Sequence, residues 1–277
     1  MALDAVVAIG YGTVKQKDLT TAVSIVKTDD LARRPITSAS GALQGKAAGV
    51  QVIQPNGAPG QGMVVRVRGA SSITSSNDPL YVVDGVPVGE GNYAIAYLSP
   101  NEIESMQVLK DASSAAIYGS RAANGVVMVT TKSGKIGRPI VTYNGSASYR
   151  KISKTLDLLS PYEFVKLQTE AWPDKFSTTY YKEGDDDNGL PYRYQSIDDY
   201  IGLGGVDWQS ETFRPTWSQD HNVSVSGGTD KTKYSFAFSD FLENGIFTNS
   251  SFNKITAKMR INQKITKRIT LDATVNY

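Results

Sequence analysis

Three stretches place reactive side chains where they could do chemistry. In Pro79-Leu80-Tyr81-Val82-Val83-Asp84-Gly85-Val86-Pro87-Val88 a carboxylate sits at the tip of an apolar strand. It could be a catalytic acid, a metal ligand or a turn residue. Gly184-Asp185-Asp186-Asp187-Asn188-Gly189-Leu190 has the outline of a calcium loop. Setting Gly189 at the invariant glycine puts Gly184 at the first ligand position and Gln195 at the last, where an acid is required. That favours a solvated loop and no resident metal, with weak calcium binding by Asp185, Asp186 and Asp187 left open. Gly57-Ala58-Pro59-Gly60-Gln61-Gly62 lacks the Lys-Ser/Thr of a phosphate loop, and its glycines miss dinucleotide spacing, so it reads as a turn between strands.

Further chemistry is scarce. There is no Gly-x-Ser-x-Gly elbow, and no convincing glycosidase-type carboxylate pair is visible. A single histidine, His221, argues against a His-based metal site and against a Ser-His-Asp triad. With no cysteine, disulfides, thiolate zinc sites and a Cys nucleophile are excluded. An enzyme is therefore not expected, nor a cofactor. A net charge of +2 over 20% charged residues gives no pull toward nucleic acid, and no aromatic-basic platform is present.

Two kinds of element must position these residues. From Ala5 to about Gly134, short apolar strands are expected at 21–27, 50–53, 63–68, 80–84, 103–109 and 125–132, with helices at 38–48 and 111–118. Asp84-Gly85 fits a hairpin turn, since Asp tolerates left-handed geometry beside glycine. From Arg138 the pattern becomes long and alternating. Val141, Tyr143, Ala147 and Tyr149 oppose Thr142, Asn144, Ser146 and Ser148, and the same holds at 220–226, 233–241, 253–263 and 268–277. A long link, 151–219, carries a helix at Pro161 to Ala171. Strands of roughly ten residues with one apolar and one polar face fit a transmembrane β-barrel. A soluble antiparallel sheet with one wet face alternates in the same way. So few strands cannot close a barrel, so membrane strands here imply a fragment. No run reaches the ~18–20 apolar residues of a membrane helix. The start lacks a secretory signal, which implies a cytoplasmic protein or a leader missing from the sequence.

The residues around Asp84 then become specific. Pro79 to Pro87, Val108-Leu109-Lys110-Asp111-Ala112-Ser113 and Ile117-Tyr118-Gly119-Ser120-Arg121-Ala122-Ala123-Asn124-Gly125, with 42–52 (ALQGKAAGVQV), occur in order over about 4–134. This resembles the plug domain of SusC/RagA-like TonB-dependent transporters of the outer membrane. The resemblance implies an α+β plug (a small mixed sheet with short helices) followed by antiparallel strands of an incomplete outer-membrane β-barrel. The implied divisions are a TonB-box-like segment at 1–12, a plug at 13–136 and barrel strands at 137–277 with an external loop at 151–219. Arg66, Arg68, Asp84, Gly85, Lys110, Asp111, Tyr118, Gly119, Arg121, Asn124 and Gly125 become structural plug residues. The three arginines are expected to pair with carboxylates between plug and barrel.

The implied function is energised import of a large nutrient, an oligosaccharide before other classes, with a SusD-like surface lipoprotein as a lid. Leu3, Asp4, Val6, Val7 and Ile9 would form an extended, unpaired strand for TonB, although Ala5 and Ala8 depart from the family's pattern. Asn77, Asn92, Tyr93 and Tyr97 are the expected ligand residues in plug loops. The alternative is a soluble glycan-binding module that reuses the plug scaffold.

Overall fold

The computed structural model describes residues 6–9, 12–15, 23–27, 38–69, 76–111, 116–176 and 179–277. The chain divides into two compact units, one comprising residues 1–150, 216–245 and 249–277, the other residues 151–215 and 246–248.

The first unit opens with β1 (Val6–Ile9) and β2 (Gly12–Lys15), an antiparallel hairpin. The strand expected to be unpaired is thus hydrogen-bonded along one edge. Leu3 and Asp4 lie outside the described residues. Next come β3 (Val23–Lys27), β4 (Val50–Ile53), β5 (Val64–Val67), β6 (Leu80–Val83), β7 (Val86–Glu90), β8 (Ile103–Leu109) and β9 (Val126–Thr131). Strands β4 and β5 pair with each other. The others form a mixed sheet in the order β3-β8-β9-β6-β7, in which only β6 and β9 run parallel.

The central strands read as unbroken apolar runs because both of their faces are covered. Tyr81, Val83, Val127 and Val129 point into one core with Leu43, Ile95, Leu98, Ile103 and Met106. Leu80, Val82, Val126 and Met128 point into a second core with Leu109, Tyr118 and Ala122. Asp84 and Gly85 turn the chain between β6 and β7 with φ of 48° and 87°, left-handed geometry that the Asp-Gly pair tolerates.

One expected helix is absent as such, and the other lies only partly within the described residues. At 38–48 only Ser40–Leu43 is helical, as one 3-10 turn, because Gly45 and Gly49 take φ of 69° and 71° and end any helix there. Of 111–118, residues 112–115 lie outside the described residues, and Ala116–Ala122 is a 3-10 stretch broken at Gly119 (φ 66°).

After β9 the chain enters a five-stranded antiparallel meander: β10 (Gly137–Arg150), β11 (Thr216–Gly228), β12 (Thr232–Asn244), β13 (Ser251–Lys264) and β14 (Thr270–Asn276). Four of these strands have 13 or 14 residues, a length of roughly 45 Å. Cross-strand register stacks Val141, Val225, Phe236, Met259 and Val275 in one row, and Tyr143, Val223 and Phe238 in the next. Apart from the half-buried Val225, these rows are solvent-exposed. The opposite face carries Thr216, Ser218, Asn222, Ser239, Glu243, Thr256 and Lys258, all buried. Over β11, β12 and β13 the polar side of the meander is the covered side, whereas β14 and most of β10 are exposed on both faces.

The second unit holds α1 (Pro161–Ala171), α2 (Pro173–Phe176) and α3 (Trp208–Thr212). Helix α1 has the expected limits because its start is fully specified. Ser160 and Glu163 form a capping box and Pro161 occupies the first turn. Aromatic pairs organise the rest, among them Tyr194 with Tyr200 (4.5 Å between centroids) and Phe176 with Tyr180 (5.5 Å). Asp186 accepts from Asn188 N and Leu190 N at 2.9 Å each, so its carboxylate closes its own turn, and those bonds hold its pKa below the usual carboxylate range.

Replacing Met106, fully buried in the first core, by alanine should cost about 2–5 kcal/mol. Equilibrium urea unfolding of the chain in detergent would measure it; a cost below ~1 kcal/mol would mean this core does not stabilise the mixed sheet.

Candidate functional site

Where the mixed-sheet body lies on the polar face of the meander, the two are joined by charge. Asp84, at the hairpin tip, accepts hydrogen bonds from Thr131 N (2.9 Å) and Thr131 Oγ1 (2.6 Å). The same carboxylate faces Arg260 at 3.3 Å and Lys258 at 3.9 Å, both on β13. Arg260 is also held by Asp272 of β14 through two donors, at 2.9 and 3.2 Å. The carboxylate at the tip of the apolar strand is therefore the counter-charge of one buried and one half-buried cation as well as a turn residue.

Glu102 is the second carboxylate of this seam. It is 6% exposed, and its Oε1 has no hydrogen-bond partner among the described residues. Burial pushes its pKa up, and the positive charges of Lys258, Lys254 and Lys132 oppose that shift only in part. Lys254 caps the region by donating to the carbonyls of Ala96 (3.1 Å) and Leu98 (3.3 Å). Further polar contacts complete the seam: Asn101 donates to the Asp220 carboxylate of β11 at 3.3 Å, and the Ser99 and Ser239 hydroxyls lie 3.4 Å apart.

The geometry corrects the expectation for Arg68. Arg68 pairs with Asp111 at 2.6 Å inside the N-terminal body. The buried Nε of Arg66 has no hydrogen-bond partner among the described residues, and Arg121 is exposed. The described ion pairs between body and meander run the other way, with the Asp84 carboxylate on the body and the Lys258 and Arg260 cations on a strand. The lysines and arginine on the polar side of 253–263 were the available signal.

The other plug-motif residues act within the body. Lys110 donates to Ser24 Oγ at 2.6 Å and Asn124 Nδ2 donates to Ser76 O at 2.8 Å. Gly125 (φ 89°) packs beneath Val67.

Beside the seam lies a cavity of about 200 Å³ between loops of the body and strands β12 and β13. Asn92 and Tyr93 line it together with Gln61, Phe241, Phe252 and Lys254. Tyr93 is 88% exposed. The other two expected ligand residues are elsewhere. Tyr97 packs against the first core, and burial, then the Asp84 and Glu102 carboxylates, push its pKa up, which places it at the seam. Asn77 is not among the lining residues. Sequence reasoning missed the 57–62 loop as a cavity wall. Gly60, with φ of 73°, sits so close to Phe252 that a Cβ would lie 2.3 Å from the ring.

No catalytic constellation forms around His221. Its Nδ1 lies 2.7 Å from Tyr143 Oη on the exposed face, and its Nε2 3.3 Å from Gln219 Oε1. Among the described residues no cluster of His, Cys, Asp and Glu could hold a metal ion.

Residues 15–126 match the family profile described as the TonB-dependent Receptor Plug Domain. The chain is 41% identical over 265 residues to TonB-dependent receptor SusC of Bacteroides thetaiotaomicron, covering 94% of this chain and 24% of that protein. It is 40% identical over 268 residues to TonB-dependent receptor P3 of Formosa agariphila, with 96% and 24% covered. The chain thus spans about a quarter of the length of these curated relatives. Among solved structures, the RagAB peptide importer in its open-open state superposes with a TM-score of 0.80 at 29% identity, over 98% of this chain and 32% of that one.

The two seam carboxylates should respond oppositely to neutralisation. Asp84→Asn keeps the turn but removes the charge facing Lys258 and Arg260, and should cost about 1–3 kcal/mol at neutral pH. For Glu102 the folded pKa lies above the unfolded value of 4.5. The folded state therefore binds more protons between 4.5 and that raised value, and stability falls as pH rises through this window. Glu102→Gln should flatten that fall and stabilise the chain at pH 8, read by unfolding at pH 5 and pH 8. An unchanged pH slope in the variant would show that Glu102 is not its source.

Proposed function

The chain belongs to the SusC-like TonB-dependent receptors, of which it carries the plug domain and antiparallel barrel strands, and we propose that it forms the gate of an outer-membrane importer of a large nutrient, an oligosaccharide before other classes. The observation that carries this reading is the orientation of the meander. On its three central strands, β11 to β13, the polar face is buried against the plug while the apolar face is largely bare. A barrel whose lumen is polar and whose outside meets lipid has that arrangement. A soluble glycan-binding module would need its apolar face covered, and among the described residues nothing covers it.

In this reading residues 13–136 plug the lumen and 137–277 supply wall strands and one external loop. The segment Leu3, Asp4, Val6, Val7 and Ile9 is offered to TonB. The β1–β2 hairpin uses one edge of β1 and, among the described residues, leaves the other for a partner strand, to which main-chain bonds would give affinity and alternate side chains register. Asn92 and Tyr93 contribute to cargo binding. An amide next to exposed and half-buried rings suits a sugar, whose hydroxyls need donors and acceptors and whose C–H face packs on aromatic carbon. A SusD-like surface lipoprotein closes over the cargo from outside.

Two measurements on the full-length transporter test this. Deleting residues 3–9 should abolish cargo accumulation while leaving cargo binding at the cell surface intact; uptake at the wild-type rate would rule out TonB coupling through this segment. The double variant Asn92→Ala, Tyr93→Ala should weaken oligosaccharide binding by roughly tenfold or more. Wild-type affinity for oligosaccharide, or a loss confined to peptide cargo, would overturn the assignment of these residues to a sugar site.

A further inference from the structure

Glu243 stands where three stretches of chain meet. It lies near the end of β12 and is 8% exposed. Its Oε2 accepts a hydrogen bond from the Gly60 amide at 2.8 Å, across 183 positions of sequence. Its Oε1 accepts from Arg150 Nη1 at 2.5 Å. Gly60 belongs to the plug loop 57–62, and Arg150 is the last residue of β10, from which the 151–215 segment departs. The cross-strand neighbour of Glu243 is Phe252, the residue whose ring presses on Gly60. Adjacent positions on two wall strands therefore grip one glycine, through a hydrogen bond from one and a ring from the other.

The grip depends on charge balance. A buried carboxylate bound only by one backbone amide is costly to keep ionised. Arg150 neutralises Glu243 and fixes the direction of its second oxygen, and only a carboxylate so fixed holds Gly60. Among the described residues the hydrogen-bonded route from Arg150 to the plug loop runs through Glu243. The loop in turn supplies Gly60, Gln61 and Gly62 to the cavity wall.

We propose that Glu243 is a positioning residue that ties plug loop 57–62 to Arg150, so that the loop completes the cavity wall only while Arg150 is engaged. Displacement of the chain where it leaves β10 is then felt at the plug loop through one carboxylate. The clamp stands apart from the identity of the cargo: amide exchange in the loop reports the clamp, and cargo affinity reports the cavity.

The experiment is amide hydrogen exchange on the full-length transporter in detergent, comparing wild type with Glu243→Ala, Arg150→Met and Arg150→Lys. Strand β9 (Val126–Thr131) is the internal reference. Glu243→Ala should accelerate exchange at the amides of the 57–62 loop by about tenfold or more. Arg150→Met should accelerate it by roughly threefold to tenfold, although Arg150 donates no hydrogen bond to the loop, and Arg150→Lys should recover most of the protection. If the methionine variant does not fold, Arg150→Gln takes its place with the same expectation. Wild-type exchange in the loop when Arg150 is neutralised would overturn the proposal. Equal acceleration in β9 would overturn it too, because the effect would then be general loosening.

Discussion

A sheet that hides its serines, asparagines and lysines and bares its valines and aromatics cannot be completed by water. Every other feature of this chain answers that inversion. Because the inner face of the meander is polar, whatever fills it must present polar groups and pair its charges, and the mixed-sheet plug does so with Asp84, Glu102, Ser99 and Asn101. Because the plug is held from outside by polar contacts, it must carry its own apolar cores, one on each face of its sheet. That is why β6 is apolar at every position and β9 is apolar from Val126 to Val129, while the wall strands alternate.

The distribution of charge across the seam has an energetic meaning. Buried ion pairs roughly break even against the desolvation of their members, so they define where the plug sits more than how strongly it is bound. Glu102 goes further, since its burial is only partly compensated by the lysines around it. An interface assembled from such contacts fixes a single docked position and remains separable, which a purely apolar interface of the same area would not be. The plug's stability is internal, and its attachment is positional.

Much of the fold was legible in the sequence where signals are local. Strands 50–53 and 103–109 and the helix at 161–171 have the expected limits, because apolar runs bounded by turn residues, or a complete capping box, decide them. The 38–48 segment misled because its small residues carry helix propensity while its glycines adopt left-handed φ. The orientation of the meander could not be read, since alternation is identical for a sheet that is wet on its polar side and one that is dry there. The polarity of the seam was equally hidden. The arginines of 66–68 are conspicuous in the sequence, but the pairing that matters joins Asp84 to β13 and Gly60 to Glu243, far apart along the chain. Of the expected ligand residues, Asn92 and Tyr93 share a cavity because one short turn, Asn92–Ile95, places them together; Tyr97 lies past that turn and packs inward.

The order β3-β8-β9-β6-β7 has a mechanical consequence. Strands β3 and β9 point the same way on either side of β8, with Val23 level with Leu109 and Val126. The chain enters β3 at one end of the sheet, and β9 leads into the wall from the other. Tension between a partner holding the N-terminal segment and the wall would load these ladders along their length, so that all the rungs share the force instead of parting one at a time. In shear the sheet is the strong element and the seam the weak one. The polar contacts around Asp84 and Gly60 would then yield before the strands do.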